Sequence, residues 1–164
     1  MEGSDELLTI AELAVGLAGI AGLVVAFTHR GKLLPTDRFR FIALFSHALF
    51  AAFLAFVPFG FHHAGQVGPA VWRASSGVMV VVWVCTSWWI GVYLRPDFSA
   101  SEDLPNAFYV ALAAPSVFGL LLQIGNFVGW PMEPGVLPYL VGLLTWLSVP
   151  ALLFATLILY REKE

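Results

Sequence analysis

Charged residues divide the chain into long apolar stretches. Between Arg40 and Arg73 lie 32 residues without a charged side chain, and 21 such residues lie between Arg73 and Arg95. Two later uncharged stretches contain 29 and 27 residues, and positions 7–27 are interrupted only by Glu12. Each stretch exceeds the roughly 20 apolar residues that a helix needs to cross a bilayer. The pattern therefore predicts a protein that is embedded in a membrane.

The stretches predict an all-α, polytopic bundle of five transmembrane helices. Lipid offers no hydrogen-bond partner to the backbone, and the chain lacks the alternation of polar and apolar residues that is typical of barrel strands. Gly/Pro-rich segments at 62–69 and 130–135 separate neighbouring spans. All connections are short, so we predict one domain over 1–164. The predicted spans are 7–27, 41–61, 71–94, 107–130 and 137–160.

Composition narrows the class of protein further. Hydrophobic residues make up 59% and charged residues 12% of the chain, where soluble domains carry about 25% charged residues. A soluble globular enzyme and a disordered chain are both excluded by this balance. The predicted environment is the lipid bilayer of the cell (inner) membrane, crossed several times, and no nucleic-acid partner is expected.

The basic residues predict an orientation. Positive residues close to span ends stay on the cytoplasmic side, and seven of the eight here fall in the first connection, the third connection and the tail. Only Arg73 lies on the other side, so we expect the N-terminus outside and the C-terminus in the cytoplasm. Trp72, Trp130 and Tyr139 are expected to mark the outer interface. The seven basic residues predicted on the cytoplasmic side are Arg30, Lys32, Arg38, Arg40, Arg95, Arg161 and Lys163.

Glu12 is the most informative residue, because a carboxylate within a span costs several kcal/mol on insertion scales unless it is wetted, paired or protonated. It lies about 7 Å below Leu7 by helix rise. Three interpretations are open: it closes a capping box with Thr9, it pairs with Arg73, or it belongs to an acidic ring or proton-carrying site at an outer mouth.

Several polar residues are expected to share the outer third of the membrane with Glu12. They either form a hydrogen-bond network that holds the helices together or line a water-filled vestibule for an ion or small polar ligand. This polar set is Glu12, Arg73, Ser75, Ser76, Gln123 and Asn126.

Span one also carries small residues at helical intervals. Small side chains let helices approach closely in lipid, which predicts that span one is central rather than lipid-facing. Three arrangements are open: packing within one chain, packing between the subunits of a homo-oligomer, or packing around a pore. The residues are Ala14, Gly16, Ala18, Gly19, Gly22 and Ala26.

Histidines and catalytic motifs indicate whether a cofactor, a metal or an enzyme activity is expected. Two haem-ligating histidines must converge on one iron, and only His29 and His47 approach this, so no cofactor is predicted. The adjacent His62 and His63 are weak metal candidates. No metal, phosphate-binding or nucleophile motif occurs, and we predict that the protein is not an enzyme.

The functional hypothesis from sequence is an oligomeric membrane protein that forms or gates an ion or small-solute pathway. In this hypothesis Glu12 attracts a cation, while Gln123 and Asn126 replace its water. The first alternative is a non-catalytic accessory or scaffold subunit of a larger membrane complex, in which the same residues only lock helices together. The second alternative is a membrane haem protein.

Overall fold

The computed structural model describes residues 1–28, 35–93 and 106–159 and folds them into five α-helices, each long and apolar enough to cross a bilayer. This confirms the predicted all-helical, five-span architecture. The connections 29–34 and 94–105 and the tail 160–164, on which most of the predicted orientation depends, lie outside the described residues, as does His29. The helices are α1 Ser4–Thr28, α2 Pro35–His63, α3 Pro69–Tyr93, α4 Asn106–Val128 and α5 Val136–Leu159.

Proline and glycine mark the helix boundaries. Pro35 and Pro69 occupy the first positions of α2 and α3, where a missing N–H costs nothing. Just past α2 and α4, Gly65 and Gly129 adopt φ angles of 90° and 80°. After each glycine, the next N–H donates to the carbonyl five residues back, at 3.1 Å in both cases. These are Schellman-type ends, which satisfy carbonyls that the helix leaves free.

Helix α5 lies at the centre of the bundle, because it contacts all four other helices. Among the described residues, α1 contacts only α2 and α5, and α4 contacts only α3 and α5. The first span therefore does not lie at the centre of the single-chain bundle, and its packing between subunits stays a prediction. Its small residues are spread over two faces of the helix, and the bundle uses only one of them.

The aromatic side chains of α5 form the middle of the core. Trp146 and Tyr139 are almost completely buried. The Trp146 ring meets Trp83 edge to face, with centroids 4.6 Å apart, and Tyr139 packs on Trp72 at 5.9 Å. Tyr139 and Trp72 are thus core residues rather than the interface anchors that we expected, whereas Trp130 is exposed.

The first turns of α1 and α5 lie at the same level. A Cβ atom on Gly3, next to the start of α1, would collide with Val136 at the start of α5, and the Trp72 ring is 4.0 Å from the same position. Helices α1, α3 and α5 therefore begin at one end of the bundle, which we call the N-terminal end. This common level allows depths along different helices to be compared.

Candidate functional site

A network of buried amides and a hydroxyl joins α3, α4 and the start of α5. Ser76 Oγ donates to Gln123 Oε1 (2.7 Å) and accepts from Asn126 Nδ2 (2.8 Å). Gln123 Nε2 reaches the Pro138 carbonyl at 2.7 Å. Asn126 receives the Gly135 N–H at 2.9 Å and donates to the Gly135 carbonyl at 3.3 Å. Every side-chain nitrogen and oxygen of these three polar residues has a partner within the protein.

Glycines in the helix contacts make this network possible. A Cβ on Gly142 would collide with the amide of Gln123, and a Cβ on Gly119 would collide with Thr145 Oγ1. The antiparallel helices α4 and α5 therefore approach closely along their facing surfaces. The sequence predicted that Ser76, Gln123 and Asn126 lie together, but it contained no signal that Gly119 and Gly142 set the helix separation.

Ser75 is buried next to this network without belonging to it. Its side chain is fully buried, and Oγ has no hydrogen-bond partner among the described residues. Ser75 was predicted as part of the same polar set, yet its hydroxyl forms none of the bonds that join the helices. A buried hydroxyl without a partner costs free energy.

Arg73 lies at the N-terminal end of α3 with an exposed side chain. Its Nη2 atom is 2.7 Å from the position that a Cβ on Gly129 would occupy. The guanidinium therefore lies beside the C-terminus of α4, where a positive charge is favourable because of the helix dipole. It also borders an open groove of about 460 Å³ that is lined by Gln66, Pro69, Ala70, Arg73, Ala74 and Phe127.

Glu12 lies apart from these polar residues. Its side chain is exposed and forms no hydrogen bond or ion pair with any described residue, Arg73 included. Because α1 begins at Ser4, Thr9 is inside the helix and its hydroxyl bonds to the Asp5 carbonyl (2.9 Å). The capping-box interpretation is therefore wrong: the helix begins five residues before the proposed cap.

The depth of Glu12 can be stated along its own helix. Glu12 follows Ser4 by eight residues in a helix of 25 residues, which places it about 12 Å, or one third of the helix length, from the start of α1. Asn126 bonds to Gly135 at the N-terminal end. The expectation that Glu12 lies in the outer third of the membrane stays a prediction.

The small residues of α1 divide between two faces. Ala14 and Ala18 are buried against the bundle. Around Gly16, Gly19 and Gly22 there is open space, with no atom within 4 Å of the position that a Cβ would take. Ala26 is also exposed. Close packing within the chain explains the alanines at 14 and 18 but not the glycines.

A proline explains one buried hydrogen bond that the sequence did not reveal. Pro58 in α2 has no N–H, so the carbonyl of Leu54, four residues earlier, lacks its usual helical donor. The Tyr139 hydroxyl donates to this carbonyl at 2.6 Å. About two turns deeper in the core, Trp146 Nε1 donates to the His47 carbonyl at 2.9 Å. Two aromatic side chains of α5 are thereby bonded to the backbone of α2.

Among the described residues, His47 near the middle of α2 lies apart from the adjacent His62 and His63 at its end. His47 bonds through Nδ1 to the Ala43 carbonyl (2.7 Å) and packs against Trp146, with ring centroids 5.3 Å apart. His62 and His63 are exposed at the end of α2, where His63 Nδ1 is 2.7 Å from the Phe59 carbonyl. Within residues 1–28, 35–93 and 106–159, no group of three or more potential metal ligands occurs.

An ion pair at the opposite end of α2 was not foreseen. Arg40 Nη1 lies 3.3 Å from Asp37 Oδ1, and both side chains are buried. We expected Arg40 in a connection, but α2 begins at Pro35 and brings both residues into its first turns. The i,i+3 spacing of opposite charges was the available signal.

Comparison with protein-family models, curated proteins and solved structures gave no match.

Proposed function

We propose that this chain is a non-catalytic subunit of a membrane assembly, which docks through the outward face of α1. The observation that carries the proposal is the contrast between two kinds of polar group. The amides and hydroxyl of the α3–α4–α5 network bond to one another inside the bundle. Glu12, one third of the way along α1, faces outward with no partner among the described residues. A carboxyl group within a span is costly unless it is wetted, paired or protonated, and a neighbouring helix outside the bundle can provide a pair.

The described cavities support a structural role for the bundle. A groove of about 460 Å³ near Phe53, Gly60 and Val78 is open and apolar, as expected for a surface that contacts acyl chains. A second opening of about 340 Å³ lies near Ser46, Cys85 and Trp89. Both lie on the outside of the bundle, while the polar atoms of Gln123 and Asn126 are engaged in bonds between helices. This arrangement favours a scaffold over a water-filled vestibule.

The proposed placement is the cell (inner) membrane, with the N-terminus outside and the C-terminus in the cytoplasm. Arg38 and Arg40 lie in the first turns of α2, at the end of the bundle away from Arg73. The remaining basic residues belong to the connections and the tail that the sequence predicts on the side of Arg38 and Arg40. This is the asymmetry that the positive-inside tendency predicts. A reporter that is active only in the cytoplasm, fused after Glu164, tests it: activity is expected, and silence of an expressed fusion contradicts it.

Photo-crosslinking in native membranes tests the docking proposal. A photoreactive residue at position 19 lies on the open face of α1, and one at position 117 lies on an exposed face of α4. We expect a discrete protein adduct from position 19 and lipid adducts from position 117. Equal adduct patterns at the two positions would refute docking through α1.

The ion pathway is the second candidate, and the exposed position of Glu12 within α1 supports it. An acidic group within a span attracts a cation when several copies surround an axis. The measurement is proton and K⁺ flux in liposomes that contain the purified protein. A flux above that of empty liposomes that is lost in Glu12→Gln supports the pathway. A flux equal to that of empty liposomes supports the scaffold.

A further inference from the structure

The open groove beside Arg73 lies between α3 and α4 at the N-terminal end of the bundle. Trp130, which follows Gly129 just past the end of α4, is exposed at this end, and exposed tryptophans at helix ends are typical of the membrane interface. The groove therefore lies where lipid headgroups meet acyl chains. It has a volume of about 460 Å³, and we call it the Arg73 groove after its lining by Gln66, Pro69, Ala70, Arg73, Ala74 and Phe127.

The guanidinium of Arg73 brings a positive charge to this groove. Its side chain is exposed and forms no hydrogen bond or ion pair with any described residue, although arginine has several N–H donors. Pro69 and Ala70 place the start of the long helix α3 in the same wall, while the guanidinium lies beside the end of α4. The two helix ends carry opposite partial charges of similar size, so about the full charge of Arg73 is left for an anion.

Gln66 adds a second donor to the groove. Its Oε1 atom is buried without a partner, and its side chain forms no hydrogen bond with any described residue. Because the oxygen is turned into the protein, Nε2 is the amide atom that remains for a molecule in the groove. A guanidinium and an amide nitrogen are both donors, and a phosphate group, which offers several acceptor oxygens, is complementary to them.

The deeper part of the groove is apolar. Ala70 and Ala74 lie four residues apart on one face of α3, and Phe127 lines the groove from α4. The Phe127 ring lies over Gly77, 3.0 Å from the position that a Cβ would take there, about one turn beyond Ala74. A free phosphate would leave these surfaces uncovered, whereas a lipid acyl chain covers them. Donors at the helix ends together with an apolar wall beneath them therefore favour a phospholipid.

We propose that the Arg73 groove binds one phospholipid molecule per chain. The lipid phosphate accepts hydrogen bonds from Arg73 and Gln66. Beneath the phosphate, an acyl chain lies against Ala74 and Phe127. Among the described residues α1 contacts neither α3 nor α4, so this lipid site and the docking face of α1 lie on different parts of the bundle and are tested separately.

Native mass spectrometry of the purified full-length protein tests the lipid site. The probe is dioleoylphosphatidylglycerol, and the control is dioleoylglycerol, which has the same acyl chains and no phosphate. We expect one retained phospholipid per chain at concentrations at which dioleoylglycerol is not retained. Equal retention of the two lipids would overturn recognition of the phosphate. Displacement of the phospholipid by an equal concentration of inorganic phosphate would identify a site for free phosphate and overturn the lipid assignment.

Three variants locate the bound lipid. Arg73→Gln removes charge-assisted hydrogen bonds and is expected to weaken phospholipid binding at least about tenfold. Ala70→Phe fills the groove and is expected to weaken binding to a similar extent. The matched control is Ala114→Phe, which makes the same change at an exposed alanine of α4 outside the groove and is expected to bind normally.

The variants are expected to fold, because Arg73, Ala70 and Ala114 are all exposed. Full phospholipid retention in either Arg73→Gln or Ala70→Phe would overturn the proposal, since the lipid would then be bound elsewhere. A loss in Ala114→Phe equal to that in Ala70→Phe would overturn it as well.

Discussion

Replacing three serines with alanine, one at a time, separates the effect of hydrogen bonds between helices from the effect of burial. Ser76 joins two side chains of α4, Ser75 is equally buried but has no partner for its Oγ among the described residues, and Ser116 bonds only to the Leu112 carbonyl of its own helix at 2.7 Å. The covalent change is the same in each case. Only the partners of the hydroxyl differ.

The expected cost follows from counting these bonds. Ser76→Ala removes two bonds between helices, each contributing about 0.6 kcal/mol on average and about 1.7 kcal/mol at most in a membrane protein. It also leaves Gln123 Oε1 without its donor. We therefore expect a loss of about 1–3 kcal/mol in the free energy of unfolding. Ser75→Ala removes an unpartnered hydroxyl and should be neutral or slightly stabilising. Ser116→Ala should change stability by less than about 0.5 kcal/mol.

Equilibrium unfolding in mixed detergent micelles measures the three differences on one scale. The predicted order of destabilisation is Ser76→Ala, then Ser116→Ala, then Ser75→Ala. A cost for Ser75→Ala equal to that of Ser76→Ala would refute the reasoning, because burial rather than hydrogen bonding would then set the stability. Unchanged stability in Ser76→Ala would show that the network does not hold the helices together.

Three further substitutions test the packing of the bundle in the same unfolding assay. Gly142→Ala should lower the free energy of unfolding by about 1–3 kcal/mol, because its Cβ collides with the amide of Gln123 on α4. Gly60 has open space around it, so Gly60→Ala should leave the free energy of unfolding unchanged. Equal effects of the two variants would contradict the close contact between α4 and α5. Gly129→Ala should lower the free energy of unfolding by about 1–2 kcal/mol, because φ is 80° at this position and an alanine is strained there. A variant as stable as the original chain would argue against the turn that ends α4. Tyr139→Phe should cost about 1 kcal/mol, since the hydroxyl loses its bond to α2, and no change would exclude a stabilising role for this bond.

The number and limits of the helices were predictable because lipid sets a minimum length. The uncharged stretches are longer than a bilayer requires, and every predicted span begins and ends within a few residues of a helix, except that α2 starts six residues earlier, at Pro35. The shift arises because polar residues at helix ends do not oppose helix formation. Asp37 in the first turn of α2, like Asp5 and Glu6 in α1, is favoured by the helix dipole.

The candidate site was only partly predictable, because spacing gives the face and depth of a residue but not its neighbour. Gln123 and Asn126 lie three residues apart on α4, which placed them on one face, and a partner on α3 followed from similar depth. The partner of Glu12 was open to three interpretations, and the structure excludes the capping box and the pair with Arg73 within one chain. The packing face of α1 was beyond prediction, since alanines and glycines occur on both sides and only contacts with α2 and α5 distinguish them.

The hydrogen bonds of this bundle show why Glu12 is a different kind of residue. Where proline frees the Leu54 carbonyl, a tyrosine of another helix supplies the donor, and where α4 and α5 approach, Gln123 finds the Pro138 carbonyl. The polar atoms of the α3–α4–α5 network are thus matched across helix contacts, whereas Ser75 Oγ is buried without a partner among the described residues. Glu12 differs from both, because its side chain faces away from the bundle and has no partner among the described residues. Lipid cannot supply a hydrogen-bond partner, which is why the outward face of α1 is the proposed docking surface.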